Sequence, residues 1–159
     1  KYQNRITPTG WELVEGAAFP RKNLKKLFSF AVNDKGYILS EDDNSLWAFD
    51  PGTNRWQERK KTPFANREKG AVITLSKGAV YGLGYNTKTG EGYRDLWLYD
   101  DQNDAWSYLT DYPGEGSANV TAVGRNTRVG FMMGYRATAT PIGTAEFSTA
   151  KDVWIYEPK

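Results

Sequence analysis

One phrase is written three times in this chain, and its spacing constrains the fold more than any other feature. It reads LWAFDPGTNRW from Leu46, LWLYDDQNDAW from Leu96 and VWIYEP from Val153. From each phrase-ending tryptophan to the next strand-like aromatic the separation is 26 residues (Trp11 to Tyr37), then 25 (Trp56 to Tyr81), then 25 (Trp106 to Phe131). From that aromatic to the next phrase it grows from 10 (Tyr37 to Trp47) to 16 (Tyr81 to Trp97) to 23 (Phe131 to Trp154). The return to the closing tryptophan is 9 residues both times, Trp47 to Trp56 and Trp97 to Trp106. Two intervals are fixed and one absorbs the length variation. A repeat of this period describes units that stack on one another, with one free connection in each.

Each period holds four short runs with strand chemistry. We label them a (FSFAV, AVITL, VTAV), b (GYILS, AVYGLGY, VGFMMGY), c (SLWAFD, DLWLYD, DVWIYE) and d (WELV, WQERK, WSYLT). Between them stand NDKG, SKG, GRNTR and PGTN, which are hairpin punctuation. The start of LKKLFSFAV has some helical period, but its counterpart REKGAVITL carries glycine and β-branched residues, so strand is expected in both. Along strand c, Trp97 and Tyr99 point to one face and Leu96 and Leu98 to the other. Trp47 and Phe49 oppose Leu46 and Ala48 in the same way, as Trp154 and Tyr156 oppose Val153 and Ile155. A two-sheet sandwich leaves one face of each sheet wet, whereas here both faces are apolar. Four-stranded sheets stacked around an axis cover both. The tryptophans are therefore expected to pack between sheets rather than to serve as a binding platform.

Composition excludes several chemistries. The 159 residues include no cysteine and no histidine, so there is no disulfide frame, Cys/His zinc site, thiol nucleophile or histidine triad. Net charge is +2, with 13 Lys/Arg against 9 Asp/Glu before residue 70 and 8 against 10 after it. That balance does not call for a nucleic-acid partner. The run RKNLKK from Arg21 reads as a solvated loop, and SEDDNS from Ser40 as a polar turn, since it lacks the spaced ligands of a calcium loop. No metal and no cofactor are expected. No apolar run is long enough to span a bilayer, and no signal-peptide pattern opens the sequence.

The stretches LWAFDPGTNRWQERKKTPFANR, LWLYDDQNDAWSYLTDYPG and VWIYEP resemble the kelch family of β-propellers. They share its aromatic-acid pair, a turn, a tryptophan about six residues on, then proline and often arginine. The family's paired glycines after strand b stand here as Gly84-Tyr85 and Gly134-Tyr135, and as Leu39-Ser40 in the first copy. The resemblance implies an all-β, kelch-type β-propeller segment of three four-stranded antiparallel blades, half of a six-bladed ring. It forms a single domain over residues 1–159, with repeats at about 11–55, 56–105 and 106–159. It also implies an exported bacterial protein, placed in the periplasm, on the cell surface or outside the cell. Copper oxidation of the galactose oxidase type needs histidine ligands and a Cys–Tyr cross-link, which this chain cannot supply. Sugar processing of the sialic-acid epimerase kind can run on carboxylates, arginines and tyrosines, and remains the enzymatic alternative.

Recognition is expected on the face that carries the b–c connections, which lengthen from SEDDNS to NTKTGEGYR to RATATPIGTAEFSTAK. The candidate ligand-binding residues are Tyr85, Asn86, Tyr93, Arg94, Tyr135, Arg136 and Phe147, with Arg67 from a d–a connection. Aromatics and arginines in such a place suit sugar stacking or a protein hot spot. The expected function is thus a non-catalytic module for a protein or glycan ligand, with no catalytic residues assigned. The strand order d-abc-d-abc-d-abc starts on an unpartnered d, around Trp11–Val14, and stops on an unpartnered c. Those edges are expected to pair through a homodimer or through further blades, not within one copy.

Overall fold

A computed structural model describes residues 13–114, 117–125 and 128–157. Strands β1 (Leu27–Val32), β2 (Lys35–Ser40), β3 (Leu46–Asp50) and β4 (Arg55–Arg59) form one antiparallel sheet in the order β1-β2-β3-β4. The second sheet runs β6 (Ala71–Leu75), β7 (Gly78–Gly82), β9 (Asp95–Asp100) and β10 (Ala105–Asp111), again in a-b-c-d order. Two short strands, β5 (Arg67–Glu68) and β8 (Tyr85–Asn86), pair above it. In the third sheet, β11 (Ser117–Ala118) and β12 (Thr121–Arg125) share one edge of β13 (Arg128–Ala139), and β14 (Ala145–Tyr156) takes the other.

The repeated phrase is a local hairpin whose residues each have a task. Phe49 sits directly opposite Trp56, and Tyr99 opposite Trp106, which accounts for the fixed 9-residue interval. The acid after the aromatic closes the turn: Asp50 Oδ1 accepts the Gly52 N–H at 2.7 Å, and Asp100 Oδ1 accepts that of Gln102 at 2.9 Å. Asn33 and Asp34 both adopt positive φ, as the tight β1–β2 turn requires.

The sheets stack face to face. Phe30, Tyr37, Leu39 and Leu46 of the first meet Ala79, Tyr81 and Tyr99 of the second. On its other face the second sheet offers Ile73, Val80 and Leu96 to Val129 and Phe131 of the third, and Tyr112, which follows β10, packs with them. The a strands touch from sheet to sheet, β1 on β6 and β6 on β12. They therefore lie nearest the common axis, with the d strands outermost. The alternation expected along strand c is present.

One expectation is corrected, and one falls partly outside the described residues. The third b–c connection is not a loop: β13 and β14 each run 12 residues, and Arg136–Lys151 forms a hairpin arm turning at Thr140–Thr144. Thr, Ala and Phe at alternating positions suit a strand as well as a loop, and length alone favours the loop. Of the expected first d strand, Trp11 and Glu12 lie outside the described residues, and Leu13 and Val14 carry no strand. Both are exposed.

Candidate functional site

Two ends of the stack differ in chemistry. The lower end carries the a–b and c–d turns and is closed by a clasp between the first two sheets. Arg59 donates to the Asp101 carbonyl at 2.7 Å and the Tyr99 hydroxyl at 3.0 Å. The Asp101 carboxylate accepts from the Tyr37 hydroxyl and, at 3.1 Å, from Asn33 Nδ2. Burial pushes the Asp101 carboxyl up, but these bonds with Lys35 and Arg59 nearby hold it below its ordinary value. Every member is committed to another. This end is structural.

The upper end gathers the b–c and d–a connections. Here the arm of the third sheet leans over the b–c connection of the second. Gly90, at φ 79°, lies so close to the Thr144 carbonyl that a β-carbon there would collide with it. The contact carries Phe147 to Tyr85, with ring centroids 5.3 Å apart and planes at 82°. Lys69 Nζ stands 4.4 Å from the Phe147 centroid and 5.9 Å from that of Tyr85. Phe147 is 41 % exposed and the nearby arm residue Tyr135 is 45 % exposed. Beside them Lys26 Nζ meets Glu68 at 3.1 Å. Burial first, then the Glu68 charge, raises the Tyr85 hydroxyl above its ordinary range.

Behind this mouth sits Glu41. Its carboxylate accepts the Lys69 and Gly70 N–H groups at 3.0 and 2.9 Å and the Tyr81 hydroxyl at 2.6 Å. Burial nonetheless raises its pKa, against the pull of those three bonds. Its neighbours in the acidic run are spread over other partners. Asp42 accepts the Lys25 and Lys26 N–H groups, and Asp43 pairs with Arg21 at 2.7 Å.

The sequence candidates divide accordingly. Tyr85 and Phe147 are brought together. Tyr135 and Arg136 lie on the same arm, Arg136 close enough to help hold the Asp152 carboxyl down. Arg67 is buried, 3 % exposed, between the rings of Phe64 and Tyr93 at 4.4 and 4.1 Å. It is bonded to the Leu83 carbonyl and to both Asp95 oxygens at 2.7 and 2.6 Å. Asn86 caps its own turn, accepting the Lys88 N–H at 2.9 Å. Arg94 reaches the Tyr112 carbonyl of the third repeat at 3.0 Å. These last four hold the scaffold under the mouth. Sequence reading missed Lys69, Lys26, Glu68 and Glu41. Their only signal was a place just before strand a or just after strand b, next to residues that were chosen.

Three antiparallel sheets stacked around a common axis, each running from an inner a strand outward, define a β-propeller segment. No family model matches the sequence, and no curated protein does. Among solved structures the chain is similar to the one described as "Structure of YjhT", with a TM-score of 0.63 at 14% identity. The match covers 85% of this chain and 54% of that one, so the chain spans about half the length of YjhT.

Proposed function

We propose that the chain is a non-catalytic binding module of kelch-type repeats whose upper face takes a carbohydrate. The observation that carries this reading is the mouth cluster, in which Phe147 stands edge-on to Tyr85 under the Lys69 ammonium, on the arm that also carries exposed Tyr135. Aromatic faces bordered by hydrogen-bonding and charged groups match the alternating C–H and O–H surfaces of a sugar ring. The test is calorimetric titration against a panel of mono- and oligosaccharides, followed by Phe147→Ala. The variant should bind the best glycan at least tenfold more weakly with thermal stability unchanged. Binding that is indifferent to Phe147, or a panel without a single ligand, contradicts the reading and favours a protein ligand instead.

One observation favours a second reading, a sugar-processing enzyme. Glu41 is a carboxyl with a raised pKa next to the mouth, and it shares a hydrogen bond with Tyr81. In that reading Glu41 moves the proton. Glu41→Gln would then abolish any epimerisation detected by NMR, by about 10²-fold or more. The binding reading is the better supported one, because all three of Glu41's bonds already serve to hold the second sheet against the first.

A further inference from the structure

Lys69 stands where all three repeats meet. Its N–H donates to Glu41 of the first at 3.0 Å, and its carbonyl accepts the Asn119 N–H of the third at 3.0 Å. Its ammonium lies 4.4 Å from the centroid of Phe147, on the arm. Between these contacts its backbone is left-handed, at φ 59°. Asn119 holds the matching place, two residues before strand a of the third sheet, with φ 51°. Asparagine tolerates that conformation, because its short polar side chain can bond locally. A lysine has no such local bond, and for it the conformation costs energy.

Contacts on both sides hold the lysine there. Glu41 takes the N–H groups of both Lys69 and Gly70, and the Tyr81 hydroxyl donates to the same carboxylate at 2.6 Å. A β-carbon at Gly70 would lie 2.7 Å from the Tyr81 hydroxyl oxygen, so only glycine lets the chain come this close. Asn119 secures the carbonyl side. The fixed backbone sends the Lys69 side chain across to the arm, where it meets Phe147 and Tyr85. Lys26, nearby, spends its ammonium on Glu68 at 3.1 Å. The Lys69 ammonium makes neither a hydrogen bond nor an ion pair among the described residues, and so brings three uncommitted donors to the mouth.

We propose that Glu41 is a positioning residue, which holds the left-handed Lys69 backbone and thereby sets the Lys69 ammonium beside Phe147 as the mouth's specificity-determining donor. From there its N–H groups reach the oxygens of a saccharide seated against Tyr85 and Phe147. That last step rests on the carbohydrate-binding reading; the placement of Lys69 by Glu41 does not. The carboxylate acts through the lysine and touches no saccharide itself. A residue on the first sheet thus shapes a site whose contacts lie on the second and third.

Carbon–proton NMR of the ligand-free chain reads the placement directly, because protons held over an aromatic ring shift upfield. The Lys69 ε-methylene protons should lie upfield of those of the other lysines and return to the ordinary position in Phe147→Ala. Glu41→Asp keeps the charge but withdraws the carboxylate by one methylene, and should cause the same return, as should Glu41→Ala. If the alanine variant folds poorly, the aspartate variant still decides. Calorimetry with the tightest-binding saccharide of the panel then closes a double-mutant cycle. Glu41→Asp and Lys69→Ala should each weaken binding about fivefold or more, and the double variant should bind no more weakly than Lys69→Ala alone. A residue that only stabilised the fold would weaken binding in both backgrounds. Lys69 signals that stay upfield in Glu41→Asp, or losses that add in the double variant, would overturn the proposal. A panel without a ligand counts against the binding reading alone, since the ligand-free spectrum still decides whether Glu41 places Lys69.

Discussion

A tryptophan on strand c has two needs, a surface for its rings and an acceptor for its indole N–H. Asp95 meets the second for Trp97 at 2.6 Å and Asp152 for Trp154 at 2.6 Å, while Trp47 has Ser45 at the equivalent place two residues earlier and its indole N–H has no partner in the described residues. Asp95 also holds Arg67, whose guanidinium is buried. Replacing Asp95 by alanine strands that charge, and should cost about 3–5 kcal/mol in urea unfolding. Asp152→Ala, at a less buried carboxylate, should cost less than half as much. A loss at Asp95 no larger than at Asp152 contradicts the role given to Arg67. Glu41 has a different signature. Its folded pKa is raised above 4.5, so the folded chain holds a proton that the unfolded chain has released. Its contribution is full below 4.5 and declines as pH rises through the folded value. Glu41→Gln lacks this decline, so the variant should gain on the parent as pH goes from 4 to 7. A variant that instead loses ground to the parent over that range excludes burial as the dominant influence on Glu41.

At the scale of elements, the hairpin arm decides whether the mouth exists. Its position depends on the close approach of Thr144 to Gly90, at a backbone angle that suits glycine. Gly90→Val combines a collision with a left-handed strain, and should cost about 1–3 kcal/mol in thermal or urea unfolding. The same change should weaken glycan binding, because Phe147 moves away from Tyr85 and Lys69. Unchanged binding would show that the arm does not shape the site. The strands themselves were legible from sequence because cross-strand pairing fixes intervals: Phe49 opposite Trp56 and Tyr99 opposite Trp106 appear as a constant spacing. The arm was not legible, because nothing repeats it and its alternation of small and apolar residues serves a loop as readily as a strand. The clasp of Arg59 and Asp101 was hidden for a related reason. It joins residues 42 positions apart whose partners vary from copy to copy.

For the whole molecule, stacking sheets divides the residues into those that join neighbours and those left at the mouth. The candidate site was legible in part by this logic. Position after strand b located Tyr85, and aromatic character picked out Phe147. The same criteria also chose Arg67 and Arg94, because sequence cannot tell an arginine facing a ligand from one buried against Asp95 or bonded to a neighbouring carbonyl. Only the packing separates them. On the proposed function, recognition belongs to the upper end and cohesion to the lower. Backbone amide NMR during titration with the best-binding glycan tests this division directly. Shifts should concentrate at Lys69, Tyr85, Tyr135 and Phe147, leaving Asn33, Arg59 and Asp101 unmoved. Shifts centred on the lower clasp, with the mouth silent, would contradict it.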